Sequence, residues 1–362
     1  MPCRAGARTP ARDIEFAATR GARDAHPLLG FRQETRPQGE TMTSRPTPMP
    51  RLALAALLAL GASAGHAAET IRVGYAAQSP SFSAPIDAAI EQGYFARAGL
   101  EVVATTFGGG ARLHQAMISG SVDIGFSPGS DFAYLVKGAP EMAIGILVDQ
   151  PASIGLSVIN PQIKSTDDLK GRKIGVTSVG AYTYWFAMDL PHLLNWPAGA
   201  KVTPVSVGGA ISGQLAALTT GQIDGVVTDV TLGLQLEHDH RGRLLLNCAD
   251  VAKDVVATVV WAHDDMIREH PDTLRRFMAA ALQGTNYLAT HREDQIRLVT
   301  RETGLSPDIM GAYVDITNPA WSRDGRITPR QLDETAQALV TAGLLESVAD
   351  LSKHYTDAYL PK

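Results

Sequence analysis

Four short clusters in this 362-residue chain carry residue types that do chemistry. Gly125-Phe-Ser-Pro-Gly129 matches the Gly-x-Ser-x-Gly turn that lifts a nucleophilic serine between a strand and a helix. In that turn the residue after the serine donates its backbone N–H to the oxyanion, and here it is Pro128, which has none. Losing one such donor lowers rates by about 10²–10³, so a serine hydrolase at Ser127 is only a minor alternative. Glu237-His-Asp-His240 gathers metal-type ligands. On a helix, however, an i, i+2 spacing splits the two histidines between faces, and a solvated helix end is the plainer reading. His263, Asp264 and Asp265 suit a helix start, where acids meet the positive end. His114, on the helix expected after a glycine run, is open to ligand contact or to packing.

Composition narrows the classes. The chain is 45% hydrophobic and 19% charged, with 34 Gly and 21 Pro, an ordinary globular balance that excludes collagen-like, disordered and coiled-coil chains. A formal charge of −5 argues against nucleic acid as a partner. Two cysteines, Cys3 and Cys248, build neither a disulfide framework nor a zinc cluster.

The longest uncharged apolar run is 52–64, too short to span a bilayer but suited to the core of an export signal. Arg45 and Arg51 precede it, and Gly65-His-Ala67 offers small residues for cleavage. We therefore expect 1–41 to be an over-extended start, 42–67 a signal peptide, and the exported chain to begin near 68. Removing nine Arg and five acids with residues 1–67 takes the charge from −5 to −9 and leaves 295 residues with one cysteine. The expected product is exported, periplasmic and monomeric, and is not itself membrane-spanning.

Beyond residue 70, strand-like and helix-like segments alternate, which implies parallel βαβ units. Strands are expected at 71–76, 101–106, 122–126 and 142–148, with helices opened by Pro85 and spanning 111–119 and 131–137. An internal repeat follows. Val73-Gly74 recurs as Ile174-Gly175, and Ala116, Gly120 and Asp123 recur as Ala217, Gly221 and Asp224, all at an offset of 101. One offset shared by these positions predicts two similarly wound α/β lobes. Each repeat reads as a helix, a glycine C-cap and a strand starting at Asp. After Asp250 a β-rich run at 255–261 precedes helices at 265–290, 293–302 and 329–342. The expected path is a first lobe at 68–158 and 256–362, with a second lobe at 159–255.

The chain also resembles a known family. Ile71-Arg-Val-Gly-Tyr75, Glu91-Gln-Gly-Tyr-Phe-Ala-Arg-Ala-Gly-Leu-Glu-Val-Val103, Gly120-Ser-Val-Asp-Ile-Gly125, Asp168-Leu-Lys-Gly-Arg-Lys-Ile-Gly-Val176 and Gly221-Gln-Ile-Asp-Gly225 occur in that order. Together they resemble the solute-binding proteins of ABC importers in the nitrate/sulfonate/taurine/thiamine-pyrimidine (hydroxymethylpyrimidine) group, across 69–362. The resemblance implies a type II periplasmic-binding-protein fold, two doubly wound α/β lobes joined by two crossover strands. It implies capture of a small solute of sulfonate, taurine, nitrate, aromatic carboxylate or pyrimidine type between the lobes, and delivery to an ABC permease in the inner membrane. No cofactor is implied. A sensing role, with the closed form shown to a membrane receptor, is the alternative. One relative of the group makes the thiamine pyrimidine with its own histidine and a cysteine-rich iron segment, and the single Cys248 cannot supply such a segment.

Carried onto this chain, the family's ligand loops are 78–83, 108–111 and 127–131 in the first lobe, and 177–182, 208–212 and 228–231 in the second. The candidate ligand-binding residues are Gln78, Ser79, Phe82, Gly109, Gly110, Ser127, Ser130, Ser178, Tyr182, Thr228 and Asp229. Helix N-termini there favour an anionic group. Ser127 and Thr228, 101 residues apart, would face each other across the cleft. Phe82, Tyr182 and Trp185 would be flat walls, although one of Tyr184 and Trp185 belongs to the core. Asp229 would repel a carboxylate and suits an amino or amidine group. Asp123 and Asp224 read as turn residues, and Cys248 as a core residue of a strand at 244–248.

Overall fold

A computed structural model describes residues 68–362. The expectations for the start, the signal and its cleavage fall on 1–67, outside the described residues. The first sheet begins with β1 (Glu69–Tyr75), where alternate residues Ile71, Val73 and Tyr75 are buried. It is followed by α1 (Pro80–Glu91), α2 (Tyr94–Arg97), β2 (Leu100–Thr106), α3 (Gly110–Ile118), β3 (Ile124–Pro128), α4 (Phe132–Val136) and β4 (Glu141–Val148). The chain then crosses over. The second sheet holds β5 (Ile154–Val158), β6 (Lys173–Val176), α5 (Tyr182–Leu193), β7 (Thr203–Ser206), α6 (Ile211–Thr219), β8 (Gly225–Asp229), α7 (Val230–His238) and β9 (Arg243–Asn247). After α8 (Cys248–Val251) the chain returns through β10 (Thr258–His263) into the first sheet. It ends with α9 (Asp264–Glu269), α10 (Pro271–Leu288), α11 (Arg292–Thr303), α12 (Pro307–Thr317) and α13 (Pro329–Thr341).

The two sheets have matching orders, β2-β1-β3-β10-β4 and β7-β6-β8-β5-β9. In each, the first three strands are parallel, and the strand that has just crossed from the other lobe enters antiparallel. This is the type II periplasmic-binding-protein architecture that the resemblance implied. The 101-residue repeat is the same joint built twice. Asp123 N–H donates to the Arg72 carbonyl at 2.8 Å, and its carboxylate accepts from Arg72 N–H at 2.7 Å. Asp224 does the same with Lys173 at 2.8 and 2.9 Å. Gly120 and Gly221 precede them with φ of 70° and 69°, a left-handed turn that glycine enters without strain.

Several expectations shift. Pro85 does not open a helix; α1 starts at Pro80 behind an extended Ser79 and runs through Pro85. Packing holds that turn. Gly284 of α10 lies so near that a Cβ there would sit 2.1 Å from the Pro85 carbonyl oxygen. Residues 154–158 fall within the expected bounds of the first lobe, but they form β5, which hydrogen-bonds between β8 and β9, so the crossover precedes it. The C-terminal helices are not confined to the first lobe either: α12 packs on α7 and α13 on α5. Helix α12 had no counterpart in the sequence reading. Cys248 is buried, yet it opens α8 and lies outside β9. No helix among the described residues is long and apolar enough to cross a membrane.

Candidate functional site

Parallel winding places the C-terminal ends of β1, β2 and β3 at one edge of the first sheet, and those of β6, β7 and β8 at one edge of the second. At such edges open α/β sheets bind their ligands. Each end runs into a helix, so the site is made of strand ends and helix starts.

In the first lobe, Gln78 is exposed, whereas Ser79 is half-buried at the start of α1, its Oγ 2.9 Å from Ser81 Oγ. Phe82 was expected as a ligand wall, but its ring belongs to the core packed by Ile71, Ile86, Phe126 and Phe277. Gly109 has φ of 121° and open space where a side chain would stand. Gly110 is different. A Cβ there would lie 2.1 Å from Asp131 Oδ2, so the carboxylate of Asp131 covers the start of α3. An anionic ligand was expected at this helix end, and the chain's own Asp131 already occupies it. Ser130 is buried, its Oγ 3.4 Å from Asp131 Oδ1.

Beneath lies His114. It is 2% exposed, with Nδ1 at 2.5 Å from Glu141 Oε2 and Nε2 at 3.1 Å from Asp131 Oδ2. Burial by itself lowers its pKa, but the hydrogen bonds and charges of Asp131 and Glu141 outweigh that and raise it to about 9. His114 is thus a buried cation between two carboxylates at neutral pH. Ser127 is fully buried and accepts from the Trp261 indole N–H at 2.7 Å. Among the described residues Ser127 Oγ bonds the Trp261 indole rather than a base, and both His114 nitrogens are held by carboxylates, an arrangement that does not support the serine-hydrolase reading.

In the second lobe, Ser178 is exposed in the turn before α5. Tyr182 and Trp185 pack edge to face, centroids 4.9 Å apart, inside that lobe's core. The Tyr182 hydroxyl is buried against Cys248, and burial pushes both groups well above their usual pKa. Both aromatics are therefore core residues, as Phe82 is. Thr228 is 4% exposed within β8; like Ser127 it is held in its own sheet, and the two are not bonded to each other. Asp229 caps α7, accepting from Thr231 N–H at 3.0 Å. Burial pushes its carboxyl up, against the lowering effect of those hydrogen bonds.

Two pairs of expected residues do meet between the lobes. Ser79 Oγ donates to Asp229 Oδ2 at 3.2 Å, joining the start of α1 to the start of α7. Ser130 and Tyr182, with Trp185, Val255, Thr335 and Leu339, line one small crevice. Sequence reasoning missed Glu302 on α11, which accepts from Ser83 Oγ at 2.5 Å beside that first contact. Burial raises its pKa to about 7; the charges of Asp87 and Asp229 add to that, while Ser83 and Arg301 oppose it. Nothing local announces Glu302, since Ser83 is 219 residues away. A groove of about 430 Å³ beside the crossovers, between Leu244–Asn247 and Ile316, Pro319 and Ala320, contains none of the expected residues. Glu237 accepts from Leu244 N–H, His238 pairs with Asp239, and His263 caps α9. Among the described residues no three His, Cys, Asp or Glu are grouped to hold a metal.

Comparison with known proteins agrees with this architecture. The taurine-binding periplasmic protein of Escherichia coli is 24% identical over 319 residues, covering 84% of this chain and 97% of that protein. The 4-amino-5-hydroxymethyl-2-methylpyrimidine phosphate synthase of Schizosaccharomyces pombe is 23% identical over 218 residues, 58% of this chain and 62% of that enzyme. The crystal structure of the periplasmic aliphatic sulphonate binding protein SsuA from Escherichia coli superposes with a TM-score of 0.66 at 18% identity, covering 80% and 99% of the two chains. The family model described as NMT1/THI5 like matches residues 81–295, more than half of the sequence, and the chain belongs to the NMT1/THI5-like family.

Proposed function

We propose that this protein is exported to the periplasm by the segment 42–67, captures a small solute between its two lobes, and delivers it to an ABC permease in the inner membrane. The Ser79–Asp229 contact carries the reading. It unites helix starts from both lobes at the strand-end edge, where a solute touching both sides stabilises the closed form over the open one. The crossovers at 149–153 and 248–257 form the hinge, and 154–247 rotates against the remainder. The resemblance to the taurine-binding protein supports a solute of the sulfonate, taurine, nitrate, aromatic carboxylate or pyrimidine range. Binding rather than catalysis is favoured because Ser127 and His114 are enclosed and the lone described cysteine, Cys248, is buried.

The test is a thermal-shift panel on the exported protein, unfolded and refolded to remove carried-over solute. A ligand at a thousand times its dissociation constant adds about 4 kcal/mol of stability, and we expect a rise of several degrees. If neither the panel nor the small-molecule fraction of growth medium moves the transition, solute capture is wrong.

A further inference from the structure

We propose that the solute carries a cationic nitrogen, an ammonium or amidinium group, received between Asp229 of the second lobe and Glu302 of the first, with hydroxyls of α1 and two buried tyrosines around it. The inference rests on the solute-binding reading and names the chemistry of that same cleft.

Four observations converge. Ser79 precedes α1 and Ser83 lies in its first turn, close enough that Ser83 Oγ reaches the Ser79 carbonyl at 3.4 Å. Ser79 donates to Asp229 and Ser83 to Glu302, so two carboxylates from opposite lobes reach the same short stretch of helix. Secondly, these carboxylates lack counterions. Among the described residues neither Asp229 nor Glu302 has a Lys, Arg or His nitrogen within 4.0 Å, and Arg301 next to Glu302 is committed to Glu91 at 2.5 Å. Burial raises the pKa of both, and the hydrogen bonds from Thr231, Ser79 and Ser83 and the charge of Arg301 offset it only in part.

Thirdly, two tyrosine hydroxyls are left unbonded at this place. Tyr75 at the end of β1 is 5% exposed and Tyr313 on α12 is fully buried, and among the described residues neither hydroxyl has a hydrogen-bond partner within 3.5 Å. Beyond burial itself, the charges acting on Tyr313 are Asp229 and Glu302, with the Ser79 hydroxyl as a polar neighbour that partly offsets them, and those acting on Tyr75 are Asp87 and Glu302. Buried polar groups are ordinarily satisfied, and an unbonded hydroxyl facing carboxylates is a place prepared for another donor or acceptor. Lastly, two of the helix starts at the strand-end edges, where an anion would bind, are already filled by the chain's own carboxylates. Asp131 covers the start of α3 and Asp229 caps α7. A cation supplies the missing positive charge, and its N–H groups satisfy the oxygens.

The test uses matched probes on the refolded exported protein by titration calorimetry: butylammonium against butyrate, benzamidine against benzoate, and taurine against ethanesulfonate. We expect the nitrogen-bearing member of a pair to bind at least 10-fold more tightly. Glu302→Gln and Asp229→Asn should each weaken that binding 30-fold or more, and Glu302→Gln should raise the melting temperature of the empty protein. Tyr313→Phe should likewise leave the empty protein at least as stable while weakening the cationic probe, whereas a purely structural hydroxyl would lower stability. Preference for the anionic members, or Glu302→Gln and Asp229→Asn both within twofold of the parent, overturns the cation assignment and leaves solute capture standing. Binding of no probe overturns the assignment too; solute capture itself falls only if growth-medium solutes also give no thermal shift.

Discussion

The two lobes share one wiring diagram and fasten it differently. At positions 101 apart, the first lobe has His114, Asp131 and Glu141, and the second has Leu215, Leu232 and Gly242. In the first lobe these residues form a buried ionic chain. In the second, Leu215 and Leu232 join an apolar cluster with Leu218, Ile223 and Leu236. A backbone pattern of strand, turn and helix therefore does not dictate what fills the layer beneath its loops; either choice satisfies packing. The difference is in sensitivity. Apolar contacts ignore protons, whereas an ion chain depends on every member keeping its charge.

The largest way to break this comparison is to remove one partner. His114→Leu leaves two buried carboxylates without their cation and should cost about 3–5 kcal/mol in urea unfolding at pH 7. Leu215→His at the equivalent site should cost about 1–3 kcal/mol, the penalty of an unsatisfied polar group. Equal costs would mean that the ionic chain adds nothing special. The pH follows with a definite sign. The His114 pKa is raised from 6.5 to about 9, so its stabilisation is fully present below 6.5 and lost as pH rises through about 9. Hydrogen exchange, corrected for intrinsic rate, should therefore show α3 losing protection above pH 9 while α6 does not.

Smaller effects sharpen the contrast. Gly110→Ala drives a Cβ into the Asp131 carboxylate and should cost about 1–3 kcal/mol. Ile211→Ala at the equivalent, exposed start of α6 should stay within about 0.5 kcal/mol by the same unfolding measurement. The smallest contrast between the lobes is at the shared joint. Asp123 binds Arg72 through backbone and guanidinium, while Asp224 holds Lys173 N–H with Arg172 at 3.4 Å. Asp123→Ala should cost about 1–1.5 kcal/mol and Asp224→Ala about 0.5–1 kcal/mol in thermal melts.

Much of the framework was legible because its signals are short-range. The glycine-turn-aspartate repeat acts within one turn and one neighbouring strand, and both copies do the same work. The start of α12 also had a local signal, Ser306 capping Ile309 N–H ahead of Pro307, which was not used. The candidate site was less legible. Ser79 and Asp229 were named and do meet, yet Phe82, Tyr182 and Trp185 turned inward as core residues. An aromatic residue near a strand end reads the same in sequence whether it faces a solute or a neighbouring helix.

The order of residues by itself determined two tandem α/β lobes, the offset that relates them, their turns and the loops at their strand ends. Each of these follows from periodicity, glycine conformation or hydrogen bonds between near neighbours. Only the tertiary structure decided which lobe received β5, which aromatics were buried, and that Asp131 would cover a helix start. It also decided that Glu302 would come to lie beside Ser83, and Asp229 beside Ser79. Those outcomes depend on contacts between residues well separated in sequence, by as much as 219 positions for Ser83 and Glu302, or on burial, and burial is a property of the whole packed chain that no local run of residues contains.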